Sequence, residues 1–290
     1  MGAGNWLIVI GAFSLVYYWT NPFSILVALV LIAGRQHGIG VIMHECGHNS
    51  LFASKKLNNF FGQWLAAKPV FDDLKQYSLG HSKHHLYAGT TDDTDLSNYI
   101  AYPVEKASFK RKMIRDLTGQ TGYRYIAEKM VSTIGIFSSD PAIRRQSKPY
   151  ISMWLTQLSM IIVLHFTLSA WLYLLWIGST MTVYMALIRL RQIAEHAAVP
   201  DSLSGDARLH TRTTYANLIE RLFIAPNYVN YHMEHHLIAG VPAYKLGALH
   251  QLLMSRNAFK DTKVFASYLD VIRHVTRHPT ELDTKRIQPA

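Results

Sequence analysis

Cysteine is nearly missing from this chain: Cys46 is the single one in 290 residues. That excludes an internal disulfide, a Cys-based zinc site and a rubredoxin-like iron centre, so any metal bound here is held by nitrogen and oxygen. Charge is missing from two long stretches, Trp6 to Ala33 and Ile151 to Ile188, neither of which contains Lys, Arg, Asp or Glu. No Lys or Arg precedes Arg35, and no internal repeat or low-complexity tract is visible. The sequence also holds no Cys-x-x-Cys, no Gly-x-Gly-x-x-Gly and no His-Pro-Gly-Gly, since His278-Pro279 is followed by Thr-Glu. Those are the short signatures of a rubredoxin, of a nicotinamide or flavin fold and of a cytochrome-type haem domain, so none of these three supplies electrons from within this sequence.

The uncharged stretches are each long enough for a helical hairpin with two spans. The first is broken only by Thr20-Asn21-Pro22 and the second weakly around Thr167–Ser169. The expected fold is an all-α membrane protein: four transmembrane helices in two hairpins, with a helical cytoplasmic cap that carries a metal site. It reads as one domain over residues 1–290, with a hairpin at 5–52, a cytoplasmic segment at 53–150, a hairpin at 151–188 and a cytoplasmic segment at 189–290. Of the 29 Lys and Arg, 15 fall between Lys55 and Lys148 and 13 between Arg189 and Arg286. The positive-inside rule therefore puts both polar segments on the cytoplasmic side. The net charge of +10 suits anionic lipid headgroups, and no nucleic-acid motif accompanies it. Arg189 and Arg191 sit where the fourth helix would meet the headgroups. An apolar run from Trp6 to Trp19 spans only ~21 Å of helix against a ~30 Å hydrocarbon core, so it would draw in Gly2–Asn5 or tilt little. With no basic residue ahead of it and Pro22 leading into another apolar helix, it reads as retained and not as a cleaved signal.

Histidine, by contrast, is abundant and clustered. Three groups stand out: His44-Glu-Cys-Gly-His48, His81-Ser-Lys-His84-His85 and His232-Met-Glu-His235-His236, with His196 following the second apolar block. On a helix, positions i, i+3 and i+4 share a face at Cβ separations of ~5–6 Å, so each His-x-x-His-His is expected to present a trio of imidazoles together. Chance would produce ~0.04 such motifs in a chain with this histidine content, against two present, which argues for a built ligand array. A helix entering at Pro22 carries His44 to the opposite membrane face, ~32 Å from Phe23, and ~40 Å of helix separates His196 from Ser169. Two hairpins thus deliver histidines to one side. Nine clustered imidazoles overshoot one zinc site, which needs three or four protein ligands, but suit two metals with four or five each. Ligand type alone leaves zinc, iron, copper and nickel open. Two irons would bind dioxygen and accumulate the oxidising equivalents that break an unactivated C–H bond.

A His-x-x-x-His after one hairpin, a His-x-x-His-His in the central segment and another after a second hairpin resembles the integral-membrane fatty acid desaturase and hydroxylase superfamily. The likeness runs from about Gln36 to His250, and includes Gly89-Thr-Thr-Asp-Asp-Thr-Asp95 after the second cluster and Asn230-Tyr-His-Met-Glu-His-His-Leu237 around the third. The resemblance implies a non-haem diiron centre held by His44, His48, His81, His84, His85, His232, His235 and His236, with His196 as the extra histidine after the fourth helix. It further implies that Gln192, four residues before His196, holds a metal-bound water. Asp92, Asp93, Asp95, Glu45, Glu195 and Glu234 are close enough in sequence to accept the second ring N–H of a ligating imidazole. No other catalytic or cofactor-binding residue is expected, and His37, His165, His210, His250, His274 and His278 read as structural.

The implied reaction is desaturation of an acyl lipid with O2 and external electrons. Hydroxylation or ketolation of an alkyl or carotenoid-like lipid is the alternative within the same superfamily. A rival of another class is an intramembrane zinc metalloprotease, because His44-Glu45-Cys-Gly-His48 matches His-Glu-x-x-His. That reading leaves seven histidines without a role. A metal transporter would want ligands along a path inside the bilayer, whereas these lie beyond the helix ends. A separate ferredoxin-type or cytochrome-type donor with its reductase is expected to dock on basic residues such as Lys106, Lys110, Arg111, Lys112 and Arg115. Three further segments are expected to be amphipathic helices: 58–71 with Phe60, Phe61, Trp64 and Leu65 at the membrane interface or in the cap, 215–223 with Leu218, Ile219, Leu222 and Phe223 on one face, and 263–277 with Phe265, Tyr268, Leu269 and Ile272 inward.

Overall fold

The computed structural model describes residues 2–259, 262 and 264–277. Among these the regular structure is helical apart from a parallel pairing of Val104–Glu105 with Thr276–Arg277 and an isolated bridge between Thr214 and Phe265. It divides into two compact units, one comprising Met1–Leu79 and Arg115–Leu187, the other Gly80–Ile114 and Ile188–Ala290.

The first unit is built on apolar helices. Gly2–Tyr18 packs on Pro22–Gly47, and the turn between them follows from Asn21-Pro22. The Asn21 side chain accepts from Phe23 N and Ser24 N at 3.0 Å each, while Ser24 Oγ accepts from Asn21 N at 3.1 Å, and Pro22 sits where the helix needs no N–H. Asp140 and Pro141 start the 27-residue helix Pro141–Thr167 in a similar way, Asp140 Oδ1 accepting from Ala142 N at 2.7 Å. Tyr173–Met181 packs on Pro22–Gly47, with Gln36 Nε2 donating to Trp176 O at 2.9 Å and Thr180 Oγ1 at 2.8 Å. Gly122 is required where Gln120–Ile134 meets the end of Tyr173–Met181, because a Cβ there would lie 2.2 Å from Met181 O.

Among the described residues, three helices are long and apolar enough to cross a bilayer: Pro22–Gly47, Pro141–Thr167 and Ala170–His196. Gly2–Tyr18 is apolar but shorter, about 26 Å at 1.5 Å per residue. Pro141–Thr167 leaves Leu155, Leu158, Ile162, Val163 and Phe166 exposed, a band that water would penalise and lipid would not.

Outside the apolar helices, buried polar groups knit the loop 68–73 in place. Lys68 is fully buried and donates to Asp73 Oδ2 at 2.9 Å and Pro149 O at 2.6 Å. Gln63 Nε2 reaches the same Asp73 oxygen at 2.7 Å, and Gln157 Nε2 donates to Lys68 O at 2.7 Å. Asp73 Oδ1 accepts from the N–H groups of Lys75 and Gln76, both at 3.1 Å, at the start of the Leu74–Tyr87 helix that carries the second histidine cluster.

In the second unit the last turn of Val183–His196 is closed by Arg212. Its guanidinium donates to Ala197 O at 2.7 Å and Ala198 O at 3.0 Å and lies 4.7 Å from the Phe265 ring centroid. A cation at a helix C-terminus satisfies carbonyls that have no partner within the helix.

Three helix expectations are corrected. Residues 58–71 form an α-helix that ends at Phe60 and a π-helix, Phe61–Ala67, with Phe60, Trp64 and Leu65 exposed. The 215–223 segment is helical only over Leu218–Phe223, where Asn217 caps, and Leu218 and Ile219 are exposed. The C-terminal helix is Tyr268–Val275, and it buries Tyr268, Val271 and Val275 while Leu269 faces outward. Ser267 caps this helix by accepting from Asp270 N at 3.2 Å; Phe265 and Tyr268 are buried as expected, while Val271 and Val275 complete the inward face in place of Leu269. Lys263, the expected start of that helix, and His278 lie outside the described residues.

Asp73→Ala should cost about 3–5 kcal/mol, because it strips the buried Lys68 ammonium of its carboxylate. Lys68→Met should cost less, since Gln63 and two backbone N–H groups still hold Asp73. Thermal unfolding of the two variants in detergent gives the comparison.

Candidate metal centre

The Leu74–Tyr87 helix places His81 and His85 one turn apart, and His84 about 100° round from His85. The structure therefore divides the expected trio. His85 Nε2 lies 3.1 Å from His81 Nε2 and 2.9 Å from His235 Nε2. His84 turns instead to His196, His232 and His236, and the four ligand atoms of that group lie within 4.8 Å of one another. The third cluster divides reciprocally: His232 and His236, also four apart, join His84, while His235 joins His81 and His85. The expectation that each His-x-x-His-His acts as one trio is thus corrected, since i and i+4 align on a helix better than i+3 does with i+4. In the first unit, His44 and His48 hold their rings 4.8 Å apart at the end of Pro22–Gly47.

Oxygen atoms engage the outer nitrogens. His84 Nδ1 donates to Asp93 Oδ1 at 2.7 Å; Asp93 also accepts from Asp95 N at 2.9 Å and, closely, from the Tyr99 hydroxyl. Burial alone would raise the Asp93 pKa, but the bonds from His84 and Tyr99 outweigh it and hold the carboxyl at about 2. His196 Nδ1 donates to His210 O at 3.1 Å, and the Tyr99 ring stacks on His196 with centroids 4.8 Å apart. His232 Nδ1 lies 3.4 Å from Glu195 Oε1, the atom that also takes Arg191 Nε at 2.6 Å. In the first unit His44 Nδ1 lies 3.1 Å from Glu45 Oε1, and Ser50 Oγ donates to Glu45 Oε2 at 2.9 Å.

The acceptors beside His84, His196 and His232 favour the tautomer with its proton on Nδ1 and the lone pair on Nε2. His196 Nε2 and His232 Nε2 then face each other at 2.8 Å, lone pair to lone pair. His236 Nε2 is buried with no hydrogen-bond partner. Burial first, and neighbouring imidazoles second, push His232 and His236 well below the usual histidine pKa, so both are neutral. Converging neutral imidazoles with unshared lone pairs are what a cation requires, and the donor set fits a nitrogen-bound transition metal.

The remaining candidate residues are placed differently. Asp95 is half exposed, with Oδ2 3.9 Å from His84 Nδ1. Asp92 is exposed. Glu234 is buried, and its carboxylate takes the Thr213 hydroxyl and His250 Nδ1. Gln192 is half-buried in the helix Val183–His196. Sequence reasoning missed Tyr99, the His210 carbonyl and the pair Thr213 and His250; only the position of Tyr99 just beyond the acidic follow-on offered a signal.

Helices apolar and long enough for a bilayer here accompany two groups of clustered imidazoles that could hold metal. The sequence profile described as fatty acid desaturase matches residues 20–267. The chain belongs to the fatty acid desaturase family and is an oxidoreductase, a membrane desaturase. It is similar to the dihydrorhizobitoxine desaturase of Bradyrhizobium elkanii, 26% identical over 87% of this chain and 72% of that one. It is similar also to the sn-1 oleoyl-lipid 12-desaturase of Synechocystis, 25% identical over 73% of this chain and 63% of that one. A shorter match, 35% identical over 24% of this chain and 18% of the other, is to the Synechocystis sn-1 acyl-lipid omega-3 desaturase (ferredoxin).

Asp93→Ala should free both His84 and Tyr99 and weaken metal binding about 10–100-fold. Competition against a chelator of known affinity measures it.

Proposed function

We propose that this protein is a diiron desaturase that introduces a C=C bond into an acyl lipid using O2 and external electrons. The observation that carries the reading is the reciprocal division of the histidine clusters, in a chain of the desaturase family. One iron would be held by His84, His196, His232 and His236. The other would be held by His81, His85 and His235; the resemblance adds His44 and His48 to the ligand set, and Gln192 would hold a metal-bound water. The chemistry such a pair supplies is oxidation by dioxygen: two vicinal hydrogens leave the substrate, and two electrons and two protons from outside complete the reduction of O2 to two waters. The chain's own part is to orient the imidazoles by engaging their outer nitrogens. Asp93, Glu195, the His210 carbonyl and Glu45 do so for His84, His232, His196 and His44.

Four spans, with the histidine clusters on the cytoplasmic face, suit this reading. They would count Gly2–Tyr18 as the short first span, and the distribution of Lys and Arg supports the orientation. The electron donor is a separate ferredoxin-type or cytochrome-type protein with its reductase, meeting basic residues such as Lys106, Lys110 and Arg111. A ferredoxin in the name of one relative supports the first type. Hydroxylation or ketolation is less favoured because these relatives are desaturases. The zinc protease is less favoured because Glu45 is engaged by His44 and Ser50, as an orienting carboxylate would be.

Mass spectrometry of lipids from a host expressing the chain should show acyl chains lighter by two hydrogens; products heavier by one oxygen would move the assignment to hydroxylation. His84→Ala or His235→Ala should abolish turnover with membrane insertion intact, whereas Glu45→Gln should retain measurable turnover. A protease would lose its general base with that change. Purified protein in lipid should turn over only with donor and reductase added, more slowly as salt rises. Sustained turnover on NADH alone would contradict the separate donor.

A further inference from the structure

Glu234 stands between His232 and His235 in sequence, yet its carboxylate serves neither. It is fully buried; one oxygen accepts the Thr213 hydroxyl, and the other lies 2.5 Å from His250 Nδ1. His250 is itself buried, stacked on Phe259 with centroids 5.2 Å apart, and its Nε2 lies 2.9 Å from the Tyr215 hydroxyl. The two partners come from separate segments of the second unit. Thr213 lies in an extended stretch tied down by Thr214 N to Asn230 O at 3.2 Å and Asn230 Nδ2 to Thr214 O at 3.1 Å. His250 comes from the helix Ala243–Ser255.

The helix His232–Leu237 has six residues, too few for its own hydrogen bonds to set its rotation about its axis. At 100° per residue, His232 and His236 lie within about 20° of the direction opposite Glu234. A roll of about 10° at the roughly 6–7 Å radius of an imidazole Nε2 moves that atom by about 1 Å, beyond the ~0.5 Å tolerance of a preorganised site. Holding Glu234 from two sides removes that freedom. A buried carboxylate is costly unless paired, and here both of its oxygens are taken up by partners on the side away from the metal groups.

The geometry points to Thr213, Glu234 and His250 as a clamp that fixes the roll of the third histidine helix and so positions His232, His235 and His236 for metal. These are positioning residues, and the inference rests on the reading of those histidines as ligands. Its test uses the full chain in detergent, stripped of metal and titrated with cobalt(II), whose visible absorption bands report ligand geometry directly. His250→Leu and Thr213→Val should each weaken cobalt binding about 10–100-fold and shift the bands of the saturated protein. His250→Asn, which keeps a donor near the Nδ1 position, should restore both. Unchanged affinity and bands in both variants would overturn the clamp. If His250→Leu fails to fold, Thr213→Val, which leaves the Glu234–His250 pair intact, decides alone. Absence of cobalt binding in the unaltered protein would instead overturn the ligand reading and the clamp with it.

Discussion

Two bare imidazole nitrogens held 2.8 Å apart, those of His196 and His232, are the contact from which the rest of the site can be understood. Left alone they repel, and in water each would rotate away to find a donor. Here neither can, because the opposite nitrogen of each ring is engaged by an oxygen that belongs to another segment: the His210 carbonyl for one, Glu195 for the other. His84 is restrained in the same manner by Asp93, which Tyr99 holds in turn. Repulsion among the inner nitrogens is thus maintained by attraction at the outer ones, and a shared cation converts the first into binding. If these histidines are ligands as proposed, a set kept in this condition would need little reorganisation to take a metal, the usual reason outer-shell partners govern affinity.

The same logic extends away from the metal groups. Several buried polar groups that shape the two units are satisfied by partners in other segments. Lys68 meets Pro149 and Asp73, Gln36 meets the Trp176 carbonyl, and Arg212 meets the carbonyls that end the Val183–His196 helix. Such bonds contribute modestly when made and cost several kcal/mol when one partner is lost. They fix helix ends and loops that apolar packing alone would leave to slide. Apolar contact with lipid is nondirectional, so in a membrane protein this directional work falls on a small number of polar residues.

Much of the site was readable in the sequence, and the physical reason is locality. A helix places i and i+4 together whatever surrounds it, so the pairs His81/His85 and His232/His236 follow from spacing, as do the long uncharged helices. Asn21-Pro22 announces a helix start because caps act within three residues, whereas the helix capped by Asp140 begins at Pro141, ten residues ahead of the hairpin expected at 151–188. The C-terminal helix begins later than expected because Ser267, four residues past the expected start, caps it at Tyr268. Phe61–Ala67 winds as a π-helix, which no local propensity signals.

What the sequence by itself determined is the inventory: nine clustered imidazoles, one cysteine, apolar helices and acidic residues within reach. Only the tertiary structure decided the pairings. It sent His84 and His235 each to the group built around the other cluster's i, i+4 pair, chose Asp93 over Asp92 as the partner of His84, and turned Glu234 from the histidines beside it towards Thr213 and His250. Spacing along one helix specifies which side chains share a face. The rotation of that helix, and the groups its other face meets, are set by contacts between segments tens of residues apart.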